Sequence, residues 1–342
     1  MATKKGAKKT MVKKKAKGRS FTPASRFLRY QITNSGTPGT ETSHFIDLAR
    51  DLSSVNRRLY RQGKVYQVAN VTITSRNTKS GLASFGTAPD TWVSRGAWKR
   101  GFALYEHMNK KVLNLPGSAS RKGRYQDFKV YLSDDHRTSA NTPRPLDNGN
   151  NQASAGEWVY SQYTSPDGTT GADEFTAHLL GGHNGSAGSR NSVGLVYSYG
   201  ESRATISIDN PLMDEDGSDD PLLNLFDAGT QVDEIAANLE LDGDQAPYAI
   251  ALSGNPDDTG EYYPGSTNNL PKPMVNRMTA IAASGWGAGP ADYVAPTVTL
   301  PGFTAICGLI ELEVQSSEAN DIFDVVIELA PGSYKGVAAF DI

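Results

Sequence analysis

The feature that most constrains the fold is a series of short segments with strand-like alternation. In KVYQVANVTIT (64–74), successive side chains point to opposite faces and many are β-branched, which is typical of a β-strand. Similar segments recur along the chain, and the sequence predicts strands at 91–94, 127–133, 157–164, 174–180, 192–199, 203–208, 247–253, 274–284, 296–315 (two strands) and 321–331.

Helices are predicted at only a few places. In HFIDLARDLSSVNRRLYRQG the apolar residues recur at spacings of three and four, which is one face of a helix. This pattern predicts a helix over 44–62, with Ser43 as its N-cap and Gly63 at its end. A second helix is predicted at 98–112 and a short one at 231–241.

The order of these segments indicates the fold class. Strands do not alternate regularly with helices, so a parallel α/β sheet is not expected, and no fixed-period repeat is present. The 34 glycines and 18 prolines indicate many turns. We therefore predict an all-β fold: a single jelly roll, an eight-stranded antiparallel β-sandwich with helical insertions and long loops, formed by residues 31–342. Residues 31–43 are predicted to be a linker or turn region.

Charge is distributed very unevenly along the chain. Residues 1–30 contain 11 of the 34 basic residues and no acidic residue, which leaves 23 basic residues against 37 acidic ones elsewhere, a net charge of −14. Because this run has no apolar periodicity, we expect 1–30 to be a basic arm that is disordered when free. Its basic residues are Lys4, Lys5, Lys8, Lys9, Lys13, Lys14, Lys15, Lys17, Arg19, Arg26 and Arg29.

The arm is the strongest functional signal in the sequence. Lysine carries a compact positive charge, and arginine carries a planar guanidinium group that binds phosphate through two hydrogen bonds. These 11 residues are therefore predicted to bind nucleic acid without sequence preference. The run KKTMVKKKAKGR can also serve as a nuclear import signal, and a solubilising tail is the remaining interpretation.

Motifs for catalysis or cofactor binding are absent from the sequence. There is no GxSxG, GxxxxGK, HExxH or CxxC pattern, so an enzyme is not expected. His178 and His183 lie five apart but have no evident third metal ligand. Cys307, the only cysteine, lies in an apolar segment predicted to be a strand, where a buried thiol is inert.

The acidic run MDEDGSDD (213–220) is a candidate site for a bound metal ion. Asp214, Asp216 and Asp219 could offer several oxygens to calcium, held between subunits, although the EF-hand spacing is absent. A solvated acidic loop is the favoured interpretation. No stretch of about 18 apolar residues is present, so no membrane partner is expected.

Three stretches carry a resemblance to a known family. HFIDLARDLSSVNRRLYRQGKVYQVANVTI, TWVSRGAWKRGFALYEHMNK and VVIELAPGSYKG resemble segments of capsid proteins from circular, Rep-encoding single-stranded DNA (CRESS-DNA) viruses, and the resemblance covers most of 44–336. The resemblance implies a single jelly roll and self-assembly into a small icosahedral shell. It also implies that the N-terminal arm points into the shell and contacts the packaged genome. The expected partners are further copies of this chain and single-stranded DNA, or RNA when the protein is expressed alone. The expected locations are the virion and, during assembly, the host nucleus.

The sequence is also compatible with two other function classes. One is a non-viral nucleic-acid-binding β-sandwich protein with the same arm, which a basic or aromatic patch in the folded domain would favour. The other is a carbohydrate-active β-sandwich enzyme with paired carboxylates such as Asp214 and Glu215. Arg57, Arg58 and Arg61 on the first predicted helix, and Lys99 and Arg100 on the second, are additional candidates for contact with a genome.

Overall fold

The structure is a computed structural model and is mainly β. It describes residues 23–76, 80–113, 127–154, 156–164, 174–186, 189–201, 279–286 and 297–342. The strands are β1 (Phe27–Thr33), β2 (Thr42–Asp47), β3 (Lys64–Ser75), β4 (Gly81–Thr87), β5 (Gln162–Thr164), β6 (Glu174–His178), β7 (Asn184–Ser186), β8 (Ser189–Gly194), β9 (Thr279–Trp286), β10 (Thr297–Ile306), β11 (Leu309–Ser316), β12 (Ile322–Leu329), β13 (Pro331–Gly332), β14 (Gly336–Val337) and β15 (Ala339–Asp341). The helices are α1 (Leu48–Asn56), α2 (Trp92–Leu113), α3 (Asp134–Thr138) and α4 (Leu195–Glu201).

Two antiparallel sheets form the main body. Sheet I has the order β1-β12-β3-β10, with β15 also paired to β3, and sheet II has the order β2-β11-β4-β9. The pairing is nested, because β1 pairs with β12, β2 with β11, β3 with β10 and β4 with β9. Strands that follow each other in the chain from β1 to β4, and again from β9 to β12, therefore alternate between the two sheets.

The apolar face of each sheet is directed towards a shared core. In β12 every second residue is buried, which is the period of a strand with one face in the core. Side chains from both sheets meet there, and the rings of Phe85 in sheet II and Phe303 in sheet I lie 6.1 Å apart. The prediction of a β-rich, antiparallel fold with few helices is confirmed.

A long insertion separates β4 from β9 and contains α2, α3, α4 and a third sheet of order β5-β6-β8-β7. Its apolar side chains form a second cluster with residues from one end of the sandwich, including Phe45, Val65, Ile306 and Leu309. The insertion is therefore anchored on the body by a shared apolar core.

The opposite end of sheet I is formed by short loops. Asn34 follows β1 and donates from its backbone N to the carbonyl of Asp321, which precedes β12, over 3.0 Å. Gly39 donates similarly to Ser316 over 2.8 Å. The start of β1 pairs near the end of β12, with Phe27 opposite Glu328, so this start lies at the far end of the sheet from these loops.

The first predicted helix is corrected at both ends. Residues 42–47 form β2, so α1 begins at Leu48, and its N-cap is Asp47, whose side chain accepts from the backbone N of Arg50. The helix ends at Asn56, because Arg57 adopts a left-handed conformation with φ of 51°. The region 31–43 is not a continuous linker, since β1 extends to Thr33 and β2 begins at Thr42.

Several strand predictions also change. Residues 92–94 of the predicted strand 91–94 belong to α2, which starts at Trp92 and includes the predicted helix 98–112. Strand β8 ends at Gly194 and the chain continues as α4. Within 127–133 only Tyr131 forms a bridge, to His178, and within 157–164 only β5 is a strand.

The remaining predicted elements either match or lie outside the described residues. The segment 296–315 forms two strands as predicted, β10 and β11. The predicted strands at 203–208 and 247–253 and the helix at 231–241 lie outside the described residues. None of the helices in the described part of the chain has the length and apolar character required to cross a membrane.

Candidate nucleic-acid interface at the root of the basic arm

The first described residues lie against the C-terminal end of α1. The backbone N of Ser25 donates to Asn56 Oδ1 over 2.7 Å, and Asn56 Nδ2 donates back to the Ser25 carbonyl over 3.1 Å. Arg58 Nη1 donates to the carbonyl of Pro23 over 3.4 Å. The chain therefore leaves the sandwich beside the end of α1. The eight lysines of the arm and Arg19 lie outside the described residues.

The last two arginines of the predicted arm belong to the folded sheet. Arg26 immediately precedes β1, and its Nη1 donates to the carbonyl of Leu329 over 3.3 Å. Arg29 is in β1, 3.6 Å from Asp324, a carboxylate that Arg76 also holds at 2.8 Å. The ion pair with Asp324 partly neutralises Arg29 and reduces its capacity to bind phosphate.

A group of basic side chains surrounds this point, and we define it as the arm-root cluster. Its members come from the chain after α1, from the start of β3 and from the β13–β14 turn: Arg57, Arg58, Arg61, Lys64 and Lys335. Burial lowers the pKa of Lys335, and the neighbouring charges of Arg61, Arg58 and Lys64 lower it further, against the opposing effect of Asp127. The positive charges of Arg61, Arg58 and Lys64 therefore act on Lys335 at short range.

Local structure accounts for these positions. Arg57 is the C-cap of α1, where a positive charge complements the negative end of the helix. Lys335 has φ of 50° in the turn between β13 and β14, and its ammonium donates to the carbonyl of Leu59. Lys64 begins β3 and pairs with Asp341 of β15.

Tyr334 provides an aromatic surface within the cluster. The Lys64 ammonium lies 4.7 Å from its ring centroid and the Lys335 ammonium 5.6 Å. Tyr60 packs edge-on against it, with centroids 5.8 Å apart. The half-buried ring is therefore held in one orientation among cations, the combination that single-stranded nucleic-acid sites use.

Electrostatically, the cluster is only partly neutralised. Arg61 is 3.1 Å from Asp127, and Lys64 is bound to Asp341. Within the described ranges, neither Arg57 nor Arg58 forms an ion pair, and both are exposed. Two guanidinium groups at the arm root are thus available to phosphate oxygens.

Sequence reasoning identified only part of this cluster. It singled out Arg57, Arg58 and Arg61, but Lys64 and Lys335 are brought in by β3 and the C-terminal turn, and no local pattern marks them. Lys99 and Arg100 lie on α2.

The other sites considered from sequence hold no assembled metal centre in the described part of the chain. His178 is buried between Ser192 Oγ at 2.7 Å and the Gly182 carbonyl at 2.9 Å. The backbone N of Gly194 donates to His183 Nδ1 over 3.3 Å. Among the described residues no group of three or more His, Cys, Asp or Glu side chains is placed to hold a metal. Asp214, Asp216 and Asp219 lie outside those residues.

Cys307 is buried, but its predicted position within a strand is wrong. It lies in the two-residue turn between β10 and β11, with φ of 57°. Burial raises the pKa of its thiol well above the usual value, so the thiol is unreactive in the folded protein.

Comparisons of the chain with protein-family models, curated proteins and solved structures found no match.

Proposed function

We propose that this chain is the capsid protein of a small single-stranded DNA virus, that its sandwich is a single jelly roll, and that it has no catalytic activity. The nested strand pairing is the observation that carries the proposal. If β1–β4 and β9–β12 are numbered one to eight, the sheets read 1-8-3-6 and 2-7-4-5. A long antiparallel hairpin of eight strands, rolled so that its halves cover each other, produces this order. Viral capsid domains are among the proteins built this way.

The polarity of the sandwich supports a shell subunit. The arm root and the loops 34–41 and 317–321 lie at opposite ends of sheet I. A subunit can therefore direct its arm to the shell interior and its loops to neighbouring subunits or the exterior. Copies of this chain are then the principal partner, in the virion and, during assembly, in the host nucleus.

Packaging follows from the charge distribution. Residues 1–19 carry nine positive charges and no negative ones, and the arm-root cluster adds exposed arginines where this segment joins the body. Each phosphate that these groups neutralise releases a counterion, which favours binding at low salt. The packaged polymer is single-stranded DNA, or RNA when the protein is expressed alone.

Deletion of residues 2–19 tests the packaging role. The shortened protein should fold and assemble but should lose most of its co-purifying nucleic acid, measured as the absorbance ratio at 260 and 280 nm. Unchanged nucleic-acid content would contradict the role given to these lysines.

A second candidate is a nucleic-acid-binding protein that does not form shells. The arm-root cluster around Tyr334 favours it, because this is a basic patch with an aromatic ring in the folded domain. Light scattering separates the two, since a shell has the mass of many subunits and a binding module that of one or a few.

A further inference from the structure

We propose that a groove between α1 and the segments 152–154 and 156–162 binds a stretch of single-stranded nucleic acid, with Arg57 and Arg58 on its phosphates and Trp158 beneath a base. This inference deepens the proposed packaging function and rests on it. It assigns the folded domain its own contact with the polymer, separate from that of the arm.

The groove is large enough for more than one nucleotide. Its volume is about 1370 Å³, above the range of about 300–1000 Å³ that small-molecule sites occupy. One wall is formed by α1 and the residues after it, up to Leu59, and the other by 152–154 and 156–162, with Lys129 and Tyr105 also lining it. It is partly open to solvent, as a polymer site must be.

The α1 wall supplies unneutralised positive charge. Arg57 and Arg58 line the groove, are exposed, and have no ion-pair partner in the described part of the chain. Guanidinium groups bind phosphate oxygens in a bidentate manner. The adjacent cations of the arm-root cluster extend this positive surface beyond the groove.

The carboxylates on the walls are largely engaged within the protein. Asp127 is paired with Arg61 at 3.1 Å and Lys129 at 3.9 Å. Asp147 accepts from the backbone N of Gly149 and Asn151 over 2.7 and 2.8 Å, and these bonds lower its pKa. Asp147 keeps its negative charge, because these donors are neutral, so Asp147 and the exposed Glu157 are the carboxylates of the lining that oppose a phosphate.

The opposite wall supplies a rigid aromatic surface. Trp158 lines the groove, and its indole Nε1 donates to the buried Asp47 over 3.1 Å, which fixes the orientation of the ring. The Lys129 ammonium lies 4.7 Å from the ring centroid. Tyr160, by contrast, is stacked on Tyr131 with centroids 3.8 Å apart, so one of its faces is occupied. The Lys129 ammonium covers one face of Trp158, and a base would stack on the part of the ring that lines the groove.

The groove is also continuous with the arm. Arg58, on the groove wall, binds the carbonyl of Pro23, the first described residue. The described chain therefore begins at the groove wall, and the basic sequence 4–19 precedes this point, which favours nucleic acid over other polymers as the occupant.

Photocrosslinking of the full chain tests the location directly. A 20-nucleotide single strand containing 5-bromodeoxyuridine is irradiated with the purified protein, and the crosslinked peptides are identified by mass spectrometry. We expect crosslinks within 152–162, centred on Trp158, in addition to any on the arm. Crosslinks confined to residues 1–22 would overturn the proposal.

A matched pair of variants tests the charges. Arg57→Gln with Arg58→Gln removes two groove cations, and Arg76→Gln with Lys110→Gln removes two exposed cations that do not line the groove. Affinity for oligothymidine is measured at several salt concentrations by fluorescence anisotropy. The slope of log K against log salt should become shallower by about 1.4 in the groove variant, at about 0.7 per lost phosphate contact, and stay unchanged in the control. Equal slopes in the two variants would overturn the groove assignment.

Electron microscopy of the same preparations separates this inference from the proposed function. Shells formed by a groove variant with an unchanged salt slope would refute the groove and leave the capsid proposal intact. Wild-type protein that forms no shells but crosslinks at Trp158 would refute the capsid proposal and leave nucleic-acid binding in the groove established.

Discussion

The indole of Trp158 donates to the carboxylate of Asp47 over 3.1 Å, and this bond joins the insertion to the sandwich. Asp47 is fully buried between the two and also accepts from Gln62 Nε2 over 2.8 Å and Tyr160 OH over 3.3 Å. Burial raises the pKa of Asp47, whereas Arg50 lowers it. One carboxylate therefore caps α1 and positions the aromatic wall of the groove.

Replacing Asp47 with alanine should be strongly destabilising. The change removes the acceptor of four donors, two of them in buried and two in part-buried hydrogen bonds, and we expect a loss of roughly 3 kcal/mol or more in the free energy of unfolding. Urea unfolding followed by tryptophan fluorescence measures this. Asp341→Ala is the control: the Asp341 side chain is exposed and, among the described residues, is paired only with Lys64, so its loss should cost under about 1 kcal/mol. Equal losses in the two variants would contradict the role given to Asp47.

Glu311 should make stability fall as pH rises. Burial raises its pKa from 4.5 to about 7, with a smaller contribution from Glu313 and Asp135, and a hydrogen bond from Ser43 opposes this. The folded state therefore holds a proton that the unfolded state has released above about pH 4.5, and the associated stability is lost as pH rises through about 7.

The variant Glu311→Gln is neutral at this position at all pH values, so it does not lose this particular contribution to stability as pH rises. Its urea midpoint should be close to that of the wild type at pH 5 and higher at pH 8. Burial lowers the pKa values of His136 and His178 to about 3 and about 4, but these groups titrate in both proteins and cancel. Glu157→Gln, at an exposed position, controls for the charge change. A difference in urea midpoint between wild type and Glu311→Gln that is the same at both pH values would refute the prediction.

Gly308 is required in the turn between β10 and β11. Its φ is +72°, and a Cβ there would lie 3.0 Å from Tyr66 Cδ2 and 3.2 Å from Leu48 Cβ. Gly39 has a similar φ of +76° with nothing within 4 Å of the added Cβ. Gly39→Ala should therefore cost roughly 1 kcal/mol for backbone strain alone, and Gly308→Ala about 1–3 kcal/mol more for overpacking. The melting temperatures of both variants are measured by thermal unfolding. Equal decreases in melting temperature would show that the clash at Gly308 is absent.

Cys307 should react with Ellman's reagent only after unfolding. Its thiol is buried and its pKa is raised well above the usual value, so little thiolate is present or accessible. Labelling should follow the urea unfolding curve. Rapid stoichiometric labelling in native buffer would contradict the placement of this turn in the core.

The sequence predicted strands well where one face meets the core and the other meets solvent, as in 64–74. It failed for β2, because Phe45 faces the insertion cluster and its neighbour Ile46 faces the sandwich core. Because these two adjacent residues are both buried, apolar and polar residues no longer alternate along β2. The spacing of its apolar residues then matches that of a helix. The short segment 91–94 had too few residues to define a period.

The candidate site was predictable in its charges and not in its geometry. The basic arm and Arg57, Arg58 and Arg61 can be identified from the sequence alone. The groove is not, since Trp158 and Asp47 are 111 residues apart and meet only because the insertion packs on the sandwich.

The most direct test of the central claim is negative-stain electron microscopy of the purified full chain, combined with the 260/280 nm absorbance ratio of the same fraction. The capsid account predicts uniform closed particles with a ratio typical of bound nucleic acid. Small monodisperse species with the ratio of a protein alone would contradict it.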